Sequence, residues 1–228
     1  MSRRSFIGFA LLAPVSIAAL GQEGAPRQAA FGYEIERFLE EDKAHPPPQG
    51  AILFIGSSIF REWTDLEKQM APLPVLNRAF GGSRTWEVVY YADRIVLPYR
   101  PRIIVYYCGS NDIGSGAGAA QVVVNFQAFV DKVAASLPRT RIFFVSINKA
   151  PEKQSVWDVA DDANSRIRDY TRRNKRLGYI DVNPALFDAA GRPRLDLYRE
   201  DQLHLRPAAY AEFTRIIRPV LEKAWAER

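Results

Sequence analysis

What most constrains this chain is an alternation that begins at residue 51, where short continuous apolar runs take turns with longer segments of helical character. Residues 51–55, 75–80, 102–107, 141–147 and 179–182 read as strands. Residues 58–70, 83–97, 121–137 and 156–176 read as helices, and Pro207 opens a last one running to about Trp225. Continuous apolar runs, rather than alternating ones, belong to strands covered on both faces. Five such strands alternating with helices imply an α/β fold with one parallel sheet and helices on both sides. Upstream, residues 31–44 read as a short amphipathic helix, which Pro46-Pro47-Pro48-Gln49-Gly50 breaks as a lead-in to the domain.

A chain of 228 residues has room for one domain with a sizeable core, and with 47% hydrophobic residues it is not of disordered type. It holds no apolar stretch long enough to span a bilayer, so stable membrane insertion is not expected. The first residues have the layout of an export signal. Arg3-Arg4-Ser5-Phe6 precedes an uncharged apolar stretch at 8–20, with a small-residue exit around Ala19-Leu20-Gly21. The paired arginines resemble a twin-arginine signal. Residues 1–21 are therefore expected to be removed, 22–50 to form the helix and lead-in, and 51–228 the domain, in a periplasmic or extracellular protein.

The formal net charge of +5 falls to +3 without Arg3 and Arg4, too small a bias to argue for nucleic acid. The densest basic run, 166–176, has helical character and reads as a solvated face. Cys108 is the only cysteine and lies inside an apolar run, where an inert buried thiol is expected.

In a parallel sheet, ligands bind beyond the carboxyl ends of the strands. The residues after Ile55, Phe80, Tyr107 and Ile147 are thus the informative ones, and three of the four places carry chemistry. Gly56-Ser57-Ser58 puts a hydroxyl on a sharp strand-to-helix turn, although a serine there is also an ordinary helix cap. Gly81-Gly82-Ser83 permits a turn that leaves a backbone N–H facing the cleft, or is simply a turn. Gly109-Ser110-Asn111-Asp112 offers the Asn111 side-chain amide as an oxyanion donor, or a turn former. Near the end, Asp201-Gln202-Leu203-His204 can bring a carboxylate to one imidazole nitrogen and leave the other for a serine. The same spacing also suits a plain surface pair. The chain has two histidines, and His45 sits beside the proline run, which leaves His204 as the candidate base.

Together the four blocks, in this order, resemble the SGNH or GDSL-type hydrolase superfamily, and the strings Ile55-Gly-Ser-Ser-Ile59 and Asp201-Gln-Leu-His-Leu205 are similar to a bacterial branch of it. The resemblance runs from about residue 51 to the last helix. It implies a three-layer flavodoxin-like sandwich and a carboxylic ester hydrolase using a Ser-His-Asp triad without metal or cofactor. On it, Ser58, Asp201 and His204 are the triad, and the oxyanion hole is the Ser58 and Gly82 N–H groups with the Asn111 side chain. Two positions depart from the pattern: Ser57 and Ser83 stand where aspartate is usual. Ser57 leaves two adjacent hydroxyls, and Ser58 is preferred because the superfamily's serine follows glycine by two.

The expected substrate is a small-molecule, glycan or lipid ester. Trp157 could stack on it or serve packing, while Trp86, Tyr90 and Tyr91 read as core. Two rival readings are a non-catalytic binding module on the same scaffold and a nucleotide- or flavin-binding protein. The second wants a Gly-rich phosphate loop, which Gly56-Ser57-Ser58-Ile59-Phe60 does not supply.

Overall fold

The computed structural model describes residues 25–227, so the expected export segment lies outside the described residues. In chain order, helix α1 (Ala25–Ala44) precedes strand β1 (Ile52–Gly56), the short helices α2 (Ser58–Arg61) and α3 (Leu66–Met70), and β2 (Val75–Asn77). Next come α4 (Thr85–Ile95), β3 (Ile103–Tyr107), α5 (Ser110–Gly114), α6 (Ala119–Ser136) and β4 (Arg141–Val145). Last are α7 (Trp157–Thr171), β5 (Leu177–Ile180) and α8 (Pro207–Ala226). The strands form one parallel sheet in the order β2-β1-β3-β4-β5, which is the α/β sandwich expected from the sequence.

Neighbouring strand residues point to opposite faces, and here both faces are apolar. Leu53, Ile55, Ile104, Tyr106 and Phe144 join one core beneath α1, α4, α6 and α7. Ile52, Phe54, Ile103, Val105, Tyr107 and Val145 join the other beneath α2, α3 and α8. Each large side chain fully buried this way contributes roughly 1.5–3 kcal/mol, which is what holds a sheet of such short strands. Helix α1 belongs to the first core through Phe31, Ile35 and Phe38, so it is a packed part of the domain.

Some boundaries differ from the sequence expectation. The helix expected at 58–70 is split, because the chain leaves α2 to insert Trp63 between Phe54, Phe60, Tyr210 and Phe213. The strand expected at 75–80 stops at Asn77, whose side chain accepts from Ala79 N–H at 3.0 Å and donates to the Phe60 carbonyl at 2.7 Å. The helix expected to reach Arg176 ends at Thr171, and an Asn174 turn starts β5 two residues before the expected 179. Along the basic run Arg166 and Arg172 are exposed and pair with Asp162 and Asp169, as a solvated face does. Of the aromatics read as core, Tyr91 is buried, Trp86 half-buried and Tyr90 exposed, so Tyr90 is a correction: it covers Tyr91 edge-on from the solvent side.

The chain runs outward from β1 to β2, then crosses back to β3 and onward to β5. The order therefore reverses between β1 and β3, and the crevice beyond their carboxyl ends is where such sheets place ligands. Gly56 closes β1 at that point. Its φ is +142°, and a Cβ there would lie 1.7 Å from the Tyr107 carbonyl oxygen. Gly56→Ala should cost about 3 kcal/mol or more, read as a lowered urea midpoint, since every atom the Cβ would meet is Tyr107 backbone and cannot swing aside.

Candidate active site

Beyond Gly56 the chain turns sharply into α2. Ser57 occupies the cap position with extended backbone, is 2% exposed, and donates its N–H to the Tyr107 carbonyl at 3.0 Å. Ser58, the first residue of α2, is half-buried, and its Oγ lies 3.1 Å from His204 Nε2. As a first-turn residue it has no intrahelical acceptor for its N–H. Of the two adjacent hydroxyls, the one brought to the imidazole is thus that of Ser58.

His204 arrives from the other end of the chain. A tight loop at 198–205 is closed by an antiparallel bridge between the buried Tyr198 and Leu205, and by Arg199 N–H on the His204 carbonyl at 2.8 Å. Gln202 at its tip takes the left-handed conformation, φ 54°. Within this turn Asp201 Oδ1 accepts the Leu203 and His204 N–H groups at 3.0 and 2.9 Å, and Oδ2 meets His204 Nδ1 at 2.6 Å. Desolvation in the turn pushes the Asp201 carboxyl upward, but the hydrogen bonds from the His204 ring and the two backbone N–H groups outweigh it and hold its pKa down to about 2. The three-residue spacing seen in the sequence thus gives one carboxylate two tasks, shaping the turn and holding the ring.

The loops that carry Gly82 and Asn111 are fastened by Ser83. Its buried hydroxyl donates to the Gly56 carbonyl at 3.0 Å, and its own carbonyl accepts from Asn111 Nδ2 at 3.0 Å and from Cys108 Sγ at 3.3 Å. A residue that departs from the superfamily pattern is therefore the one that ties three of the four blocks together. Gly82 takes φ +75°, a conformation that side chains resist, with nothing closer than 4.0 Å to a Cβ; the requirement there is conformational. One hydrogen of the Asn111 amide is committed to Ser83, which fixes the plane in which the second points. Asp112, from the same block, accepts Thr85 N–H and hydroxyl and anchors the start of α4 behind this loop. Its burial pushes the carboxyl upward against those bonds. Burial likewise raises the Cys108 thiol well above its ordinary value, which fits the inert role read from the sequence.

Trp157 opens α7 and is half-buried. Its indole N–H goes to the Ala150 carbonyl at 2.8 Å, and its ring packs edge-on against Phe187 at 5.5 Å. It also lines a small recess with Ser110, Ile113, Ile147, Asn148 and Lys153, next to the block that carries Asn111. Its main work is therefore packing.

Two residues escaped the sequence reading. Glu62, the C-cap of α2, places Oε1 3.9 Å from His204 Nε2 and faces Arg199 Nη2 at 2.9 Å across to the 198–205 loop. Its helical spacing of four from Ser58 was a usable signal; the pairing with Arg199, far away in sequence, was not.

Comparison with solved structures gives the same architecture repeatedly. A protein from Streptococcus pneumonia, provisionally described as a platelet activating factor, aligns with TM-score 0.73 at 23% identity over 86% of this chain and 94% of its own. A GDSL-like lipase from Bacteroides thetaiotaomicron aligns with TM-score 0.72 at 18% identity, over 83% of this chain and 98% of that one. A carbohydrate esterase family 3 protein from Talaromyces cellulolyticus aligns with TM-score 0.62 at 14% identity, over 76% and 96%. No match is found among curated proteins. The model of the GDSL-like Lipase/Acylhydrolase family matches residues 54–212, which span every block from Ser58 to His204. The chain belongs to the GDSL-like lipase/acylhydrolase family and is a carboxylic ester hydrolase.

Proposed function

We propose that this ester hydrolase works through an acyl-enzyme on Ser58, with His204 as its base and Asp201 as the group that orients and charges the base. The observation that carries the reading is the continuous line Asp201 Oδ2, His204 Nδ1, His204 Nε2, Ser58 Oγ, with steps of 2.6 and 3.1 Å. Nε2 takes the Ser58 proton as Oγ attacks the ester carbonyl. The Ser58 and Gly82 N–H groups and the Asn111 amide receive the oxyanion. The protonated imidazole then gives its proton to the leaving alcohol, and a water activated by the same nitrogen releases the acid. Loss of a single oxyanion donor typically costs about 10²–10³ in turnover, so Asn111→Ala should lower kcat by that factor with KM little changed.

The pH profile follows from the carboxylate. A folded-state pKa of about 2 lies below the ordinary aspartate value, so Asp201 keeps its charge as pH falls and takes up its proton only near pH 2. The carboxylate then adds no proton of its own to the acid limb, and log kcat/KM should fall with a slope of one down to about pH 4. A slope of two would mean that the carboxylate titrates in the same range.

For substrate we propose short acyl, chiefly acetyl, esters of carbohydrates or other small alcohols. Support comes from the carbohydrate esterase among the structural neighbours. A hydrolysis panel of p-nitrophenyl acetate, p-nitrophenyl octanoate and acetylated xylose should favour the two acetyl esters; preference for octanoate would overturn this choice. We also propose that the protein is exported, on the strength of the paired arginines and apolar stretch at its start. Fractionation of expressing cells should place it outside the cytoplasm. No helix of the described residues is long and apolar enough to cross a membrane.

A further inference from the structure

Beside Ser58 and His204 runs a chain of alternating charges that the hydrolytic mechanism does not use. Glu34 on α1 faces Arg61 at 3.5 Å, Arg61 faces Glu62 at 3.3 Å, and Glu62 faces Arg199 at 2.9 Å. The chain touches three parts of the site. Arg61 lies against Gly81, where a Cβ would meet its guanidinium at 2.7 Å, so it abuts the loop that carries Gly82. Glu62 closes α2, its N–H on the Ser58 carbonyl at 2.9 Å. Arg199 stands in the loop that holds Asp201 and His204. The carboxylate between the two arginines is mostly shielded, 17% exposed, with Oε1 3.9 Å from His204 Nε2. At that distance it is not hydrogen-bonded to the ring, but the two groups are close enough for charge to couple them.

We propose that Glu62 is a positioning residue for the hydrolysis assigned above, on which this inference rests: with Arg199 it clasps the His204 loop to the Ser58 helix, and its charge favours the imidazolium formed during acylation. Arg199 tempers that charge, so the pair sets how readily His204 takes up a proton. The other charges around the ring are few. Asp201 holds Nδ1, and Glu200 is exposed on the same loop. From the 151–156 turn, Glu152 reaches Gln202 only through its backbone, and Lys153 is turned away onto Ser110.

The test compares Glu62→Gln and Arg199→Met with the parent on p-nitrophenyl acetate from pH 5 to 9. Removing the carboxylate should lower kcat about tenfold, leave KM unchanged, and move the acid limb of kcat/KM to lower pH. Removing the arginine unmasks the carboxylate and should move the same limb to higher pH. Opposite displacements are what a merely structural contact would not produce. Wild-type kcat and an unmoved limb in Glu62→Gln, or both limbs moving the same way, would overturn the proposal. Should Glu62→Gln fail to fold, half-exposed Arg199 carries the test alone, with an unmoved or lowered limb counting against it. Ser58→Ala run in parallel separates the two claims: an active Ser58→Ala enzyme sinks both, whereas an inactive one beside an unaltered Glu62→Gln sinks only the role of Glu62.

Discussion

Ser58→Ala is expected to lower kcat for p-nitrophenyl acetate by roughly 10⁴-fold or more while the melting temperature holds, and Ser57→Ala to stay close to the parent rate. The contrast comes from two hydroxyls one residue apart in sequence and differently placed in space. Ser58 Oγ lies 3.1 Å from His204 Nε2, in a half-buried position at the reversal point of the sheet. Ser57 is the cap residue of α2, buried against Tyr107, and contributes its backbone N–H and carbonyl to the turn. Substituting alanine there keeps both backbone groups, so the turn persists. Parent-like kcat in Ser58→Ala would remove the nucleophile from the account.

The second large effect is expected at Asp201, the carboxylate proposed to orient the base. Asp201→Asn should reduce kcat by about 10⁴-fold with the loop intact, a factor taken from the corresponding substitution in a serine protease triad. The amide oxygen can still accept the Leu203 and His204 N–H groups that shape the turn. Its NH₂ would instead donate to Nδ1, placing the ring proton on Nε2, the nitrogen that faces Ser58. A base with its lone pair turned away takes no proton. Because the residues act as a unit, Asp201→Asn on top of Ser58→Ala should cost little further. Circular dichroism and kcat measured together decide between this and loss of the loop: a native spectrum with a fall of less than tenfold would contradict the tautomer argument.

Much of this was legible in the sequence because it is local. Ala51 to Ile55 and Arg102 to Tyr107 announce buried parallel strands by their unbroken apolar character, and the structure buries β1 and β3 completely. Asp201 and His204 sit three residues apart, so a tight turn was enough to join them. What the sequence hid was decided by partners far along the chain. Trp63 ends the helix after Ser58 because Tyr210 and Phe213, in the last helix, make a place for its ring. Ser83 looked like a departure at the oxyanion loop, and only its neighbours in space, Gly56 and Asn111, show it to be a staple. Glu62 and Arg199 carry no local signal of their contact. Trp157, which could have served a substrate or the core, is drawn largely into packing by Ala150 and Phe187, contacts that no periodicity foretells.

The central claim is that Ser58 is acylated. Its most direct test is reaction of the purified protein with a fluorophosphonate, followed by digestion and sequencing of the modified peptide by mass spectrometry. One adduct per chain is expected, on Ser58, absent from Ser58→Ala and slowed in Asp201→Asn. An adduct on Ser57, or ester hydrolysis continuing in protein that the reagent leaves unmodified, would contradict it.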